Sequence, residues 1–92
     1  MKRWWRRRWE LRTYHMNTVY HLFAQRGNHK VFITELYISP DNATRNLGII
    51  EKSMLLADLL NSREATTDDV DSALDQLRKD YPPRKGPDAT PD

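Results

Sequence analysis

The chain has 92 residues, fifteen Lys or Arg against thirteen Asp or Glu, a formal net charge of +2 and no cysteine. That length holds one domain with one modest core. Without thiols, disulfides, thiolate zinc sites and a cysteine nucleophile are excluded.

The charge is unevenly placed. Residues 1–15 carry six basic residues against the single acid Glu10, and all three tryptophans of the chain. Residues 63–81 carry Arg63, Arg78 and Lys79 against Glu64, Asp68, Asp69, Asp71, Asp75 and Asp80. A basic start and an acidic late segment point to an interaction arm, or to two ends that meet.

The arm comes first in the chain. Arg3, Arg6, Arg7, Arg8 and Arg12 offer guanidinium forks for phosphate or carboxylate, and Trp4, Trp5 and Trp9 offer flat apolar faces. The spacing of Trp5, Trp9 and Arg12 fits a helix, and arginine favours one. So many like charges repel, so the arm needs a partner or the body of the protein to order it. The expected domain proper is residues 16–81, after an arm at 1–15.

Residues 16–26 read in two ways. Met16, Val19, Tyr20 and Phe23 fall on one helical stripe, continuing a helix from Trp4. Val19, His21 and Phe23 also alternate with Tyr20 and Leu22, as in a strand. The turn Arg26-Gly27-Asn28-His29 favours the strand. Lys30 to Ser39 is the surest strand, β-branched and aromatic, with Phe32, Thr34, Leu36 and Ile38 on one face. A lone strand cannot persist, so residues 18–25 are its hairpin partner.

Pro40 ends the strand, and Ser39, Asp41 or Asn42 can cap a helix over residues 43–61. Leu47, Ile50, Met54 and Ala57 form its main stripe, widened by Ile49, Leu55, Leu56, Leu59 and Leu60. So broad an apolar surface implies burial on more than one side. The surplus around Ile49, Leu56 and Leu60 suits a homodimer through helix 43–60, or docking into a larger complex. Gly48 inside the helix marks a close backbone contact or a late start. Thr66 followed by Asp69 is a capping-box start for a last helix, with Val70, Ala73, Leu74, Leu77 and Tyr81 as its stripe. Residues 82–92 hold four of the five prolines and no large apolar side chain, the composition of a disordered tail. The fold class is α+β: a β-hairpin packed by two helices, with a basic N-terminal arm.

Chemistry-bearing motifs are few. His15, His21 and His29 lack metal-ligand spacing and read as surface or hairpin histidines. The acids of the last helix lack a cation-binding loop, and Asp71 and Asp75 face solvent. No serine sits in a nucleophile elbow, and three glycines make no phosphate loop. The expectation is a protein that is not an enzyme and takes no cofactor or metal. The expected function is binding of nucleic acid, RNA or DNA, or of a nucleoprotein complex. Arg3, Trp4, Trp5, Arg6, Arg7, Arg8, Trp9 and Arg12 would make the contacts, and Arg26 and Lys30 would extend the track. The second reading is a protein–protein modulator or inhibitor docked on a larger enzyme, with the tryptophans as hot spots against an acidic surface. The third is an anionic membrane surface. No run is long enough for a transmembrane helix, and no apolar stretch follows the basic start as in a signal peptide, so a soluble cytoplasmic protein is expected.

Overall fold

Alternating residues over 10–37 build a three-stranded antiparallel meander. In the computed structural model, which describes residues 8–16 and 19–83, the strands are β1 (Glu10–Met16), β2 (Val19–Arg26) and β3 (His29–Tyr37), in the order β1-β2-β3. Gly27, with φ of 61°, turns β2 into β3 at the two-residue connection. That left-handed conformation is cheap only for glycine and matches the twist of a tight hairpin.

β1 revises the expected boundary at residue 15/16. Glu10 to Met16 pairs residue by residue with Gln25 to Val19, so the supposed end of the arm is a full strand of the sheet. Among the described residues Glu10–Met16 and Val19–Gln25 are strands, so the helix expected up to Gln25 is not formed there. Leu11 gains burial beside the core only in the extended form, with its neighbours Glu10 and Arg12 on the other face.

β3 departs from simple alternation. Phe32 pairs with Phe23, but Thr34 pairs with Leu22, so Ile33 is an extra residue in a bulge. The bulge puts both Ile33 and Thr34 on the helix side. Phe32 therefore lies on the opposite face from Thr34 and Leu36, contrary to the single face expected for them. Ile38 lies beyond the strand and is exposed.

A 3₁₀ turn, Pro40–Asn42, leads into α1 (Ala43–Asn61). No side chain caps either start; Asn42 instead donates to the Ser39 hydroxyl at 2.7 Å. α2 (Thr67–Asp80) begins with the expected capping box. The Thr66 hydroxyl accepts from the Asp69 amide at 3.1 Å, and the Asp69 carboxylate accepts from the Thr66 amide at 3.0 Å.

Both helices pack on one face of the sheet. Leu22, Ala24, Ile33 and Leu36 meet Ile49, Leu56, Leu74 and Leu77 in one core. The buried face of α1 is Ile49, Ser53, Leu56 and Ala57. This is not the stripe the spacing suggested: Leu47, Ile50 and Met54 are 62, 38 and 57% exposed. Ile49, Leu56 and Leu60, expected as surplus surface, belong to or pack against the core. Apolar residues nearly encircle this helix, so composition alone leaves its rotation open. The small buried Ser53 in the middle of the inner face hides the true phase.

Gly48 does mark a close contact. A Cβ there would lie 2.9 Å from the Tyr81 ring carbon Cζ. Tyr81 closes the end of α2, and its carbonyl accepts from the Thr34 hydroxyl at 3.0 Å.

Candidate functional site

Both helices pack on one face of the sheet; the other, the open face, is exposed along β1, half-buried at Phe23, Phe32 and Tyr37 and buried at Val19, His21 and Glu35. Alternation from the strand register puts Glu10, Arg12, Tyr14 and Met16 of β1 on that open face. β2 adds Val19, His21, Phe23 and Gln25, and β3 adds Lys30, Phe32, Glu35 and Tyr37. Aromatic rings dominate it. Tyr14 and Phe23 meet edge-on with centroids 5.5 Å apart, and Phe23 and Phe32 do the same at 5.5 Å. Such pairs favour edge-to-face geometry because the ring edge is positive and the face negative.

Cations border these rings. The Lys30 ammonium lies 4.4 Å from the Tyr14 ring centroid and 5.9 Å from that of Phe23. Arg78 of α2 reaches around the β3 edge, its guanidinium 6.0 Å from the Phe32 ring. Arg45 of α1 does the same at 5.3 Å from Tyr37. Arg12 is exposed and pairs with Glu10 at 3.0 Å. The Tyr14 hydroxyl donates to Gln25 Oε1, which holds the ring over the middle of the sheet.

Beside the rings, on the same face, lies a buried polar pair. Glu35 is fully buried and His21 nearly so. His21 Nε2 stands 3.5 Å from Glu35 Oε2, and the Tyr37 hydroxyl donates to Glu35 Oε1 at 2.5 Å. His21 also meets the Phe32 ring edge-on at 5.5 Å. A buried carboxylate persists only with such partners. His21 is therefore not the surface histidine the spacing suggested, whereas His15 and His29 are exposed.

The predicted site residues divide. Arg12 and Lys30 come together on the open face. Trp9 and Arg26 lie on the helix side, where the Arg26 guanidinium stacks 5.1 Å from the Trp9 ring and Trp9 packs against the core. Arg8 is exposed just before Trp9. Arg3, Trp4, Trp5, Arg6 and Arg7 lie outside the described residues, as does the proline-rich tail from residue 84 onward.

Tyr14, Phe23, Phe32 and Tyr37 were missed as site residues. A signal existed in the aromatic positions shared by three adjacent strands. It became readable only once β1 was known to pair and the bulge had set the face of Phe32.

Elsewhere, a hollow of about 220 Å³ between α1 and α2 is lined by Leu59, Leu60, Ala65, Thr66 and Val70, with no ionisable side chain to move a proton. Among the described residues, no group of His, Asp and Glu could hold a metal ion, and no helix is long and apolar enough to cross a membrane. No known protein family, curated protein or solved structure matches the chain.

Proposed function

We propose that the protein binds single-stranded nucleic acid, without catalysis, on the open face of its sheet. The observation that supports this most is the row Tyr14–Phe23–Phe32, in edge contact across three strands and bordered by Lys30, Arg12 and Arg78. Unpaired bases stack on such rings, and cations beside them take the backbone phosphates. A sheet face exposed along β1 and at Lys30 admits a splayed strand, whereas a duplex keeps its bases stacked on each other. The Arg/Trp segment at residues 1–9 feeds into β1. Its guanidiniums add phosphate affinity to the same reading, while stacking passes from the tryptophans to the sheet.

Labelled RNA and DNA oligonucleotides, titrated by fluorescence anisotropy across a salt series, test the proposal. Affinity should fall with salt, with a logarithmic slope of about −0.7 per phosphate neutralised. Tyr14→Ala should cost about 1–3 kcal/mol. Absence of single-strand binding, or binding unchanged by Tyr14→Ala and by Lys30→Ala, overturns it.

One observation favours a protein partner in addition. Leu47, Ile50 and Met54 form an exposed apolar stripe along α1, on the side of the molecule away from the aromatic face.

A further inference from the structure

The outer edge of β1 meets the C-terminal end of α1. Asn61, at the end of α1, grips that edge: the Trp9 amide donates to Asn61 Oδ1 at 2.7 Å, and Asn61 Nδ2 donates to the Trp9 carbonyl at 3.0 Å. Met54, Ile50 and Leu47 precede Asn61 by seven, eleven and fourteen residues. Each interval is close to a whole number of 3.6-residue turns, so all three share the helix face of Asn61. At the other end of the helix Asn46 holds the Tyr37 amide and carbonyl on the outer edge of β3, so α1 crosses the sheet and only its C-terminal part nears the β1 edge.

The backbone direction of that edge follows from the same grip. Trp9 presents its amide and carbonyl outward, so Leu11, Thr13 and His15 do too, while Glu10, Arg12, Tyr14 and Met16 bond inward to β2. The hairpin agrees. Arg26 pairs with His29 across its turn, which turns the groups of Gln25 toward Glu10. Among the described residues, no hydrogen bond is recorded for the outward groups of Leu11, Thr13 and His15.

We infer that the protein forms a two-fold homodimer in which β1 pairs antiparallel with β1 of a second copy. A second copy is the occupant that the edge itself selects. With the axis at Thr13, Leu11 exchanges hydrogen bonds with His15 of the second copy and Thr13 with Thr13. On the open face, Arg12 falls opposite Tyr14 and Glu10 opposite Met16. No like charges oppose each other, and Arg12 meets an aromatic ring. Moving the axis to Arg12 sets Arg12 against Arg12, a repulsive pair. Moving it to Tyr14 costs the Leu11–His15 exchange. An axis at Leu11 opposes Arg12 and Glu10 but pairs Thr13 with Trp9, whose groups Asn61 already holds, so the Thr13 axis is the register that bonds Leu11, Thr13 and His15 together, in the self-complementary way a two-fold interface requires. The same association joins two aromatic faces into one six-stranded platform.

This inference stands independently of nucleic-acid binding. Sedimentation of the full, nuclease-treated chain over a dilution series reads it directly. The expected limiting mass at high concentration is twice 10.9 kDa. Because the chain has no cysteine, Thr13→Cys reports on the axis alone. Opposed hydrogen-bonded residues lie about 5.5 Å apart at Cα, within the range a disulfide spans, so this variant should cross-link on mild oxidation. Ser62→Cys, exposed at the far end of α1, should cross-link only at the rate of random collision. Thr13→Lys should raise the dissociation constant at least about tenfold. A monomer at every concentration overturns the inference. So does a dimer in which Thr13→Cys cross-links no faster than Ser62→Cys.

Discussion

The two edges of this sheet are finished in opposite ways. Along β3, every outward carbonyl from the bulge to the strand end has a side chain on it. Arg78 donates to the carbonyls of Phe32 and Ile33, Arg45 to that of Glu35 at 2.8 Å, and Asn46 to that of Tyr37 at 2.7 Å. Along β1, Asn61 takes Trp9, and the described side chains take nothing further. An open edge is a template for another strand, and proteins normally blunt it. Here the blunting is thorough on one side and stops after one residue on the other. The difference teaches that the two helices do two jobs: α2 and the start of α1 close the β3 edge, while the end of α1 sets the starting point of an edge left open.

Removing the closing side chains should break the contrast from the β3 side, with the largest effect at Arg78. Arg78→Ala strips the Phe32 and Ile33 carbonyls of a charged donor and removes packing beside the Phe32 ring. Hydrogen bonds to charged groups contribute about 1.5–3 kcal/mol each, and water replaces part of that at a half-exposed site. The expected loss in urea unfolding is about 2–3 kcal/mol. A loss below about 0.5 kcal/mol, the ordinary range for surface changes, would show that the β3 edge does not need its cap.

Asn61→Ala tests the single closed point of the other edge. It removes two neutral hydrogen bonds to Trp9, so the expected cost is about 1–2 kcal/mol. The same substitution frees the start of β1, so amide exchange at Trp9 and Leu11 should quicken more than at the centre of β2. Equal quickening across the sheet would mean that Asn61 supports the whole fold rather than the edge.

Much of this architecture was legible from residue patterns. Helix α1 could be placed over Ala43–Asn61 because Pro40 stops the strand and polar residues follow Asn61. The start of α2 was visible in Thr66 and Asp69, and the β2–β3 turn in Gly27. What escaped were features decided by tertiary pairing. Glu10–Met16 looked like part of an arginine-rich arm, because its strand alternation is short and mixed with charges. Its identity depends on β2 being there to pair with it. The rotation of α1 escaped because Ser53, a polar residue, occupies the best-buried position. The aromatic face escaped because one extra residue at Ile33 moves Phe32 to the other side of the sheet. Arg12 and Lys30 were found through their charge, while the rings beside them required the register.

The smallest expected effect separates an open edge from a weak one. Thr13 is exposed and sends its backbone groups outward, so Thr13→Lys breaks no bond within the chain. In dilute solution, where the monomer dominates, its unfolding free energy should stay within about 0.5 kcal/mol of the parent chain. At high concentration the parent should gain stability by mass action, since association favours only the folded state, and the variant should not. The two chains would then unfold together when dilute and apart when concentrated. An edge that is merely poorly bonded gives no such divergence: Thr13→Lys would then shift stability by the same amount at every concentration. The concentration dependence of the difference, rather than its size at any one point, decides whether the β1 edge is unfinished or waiting for its copy.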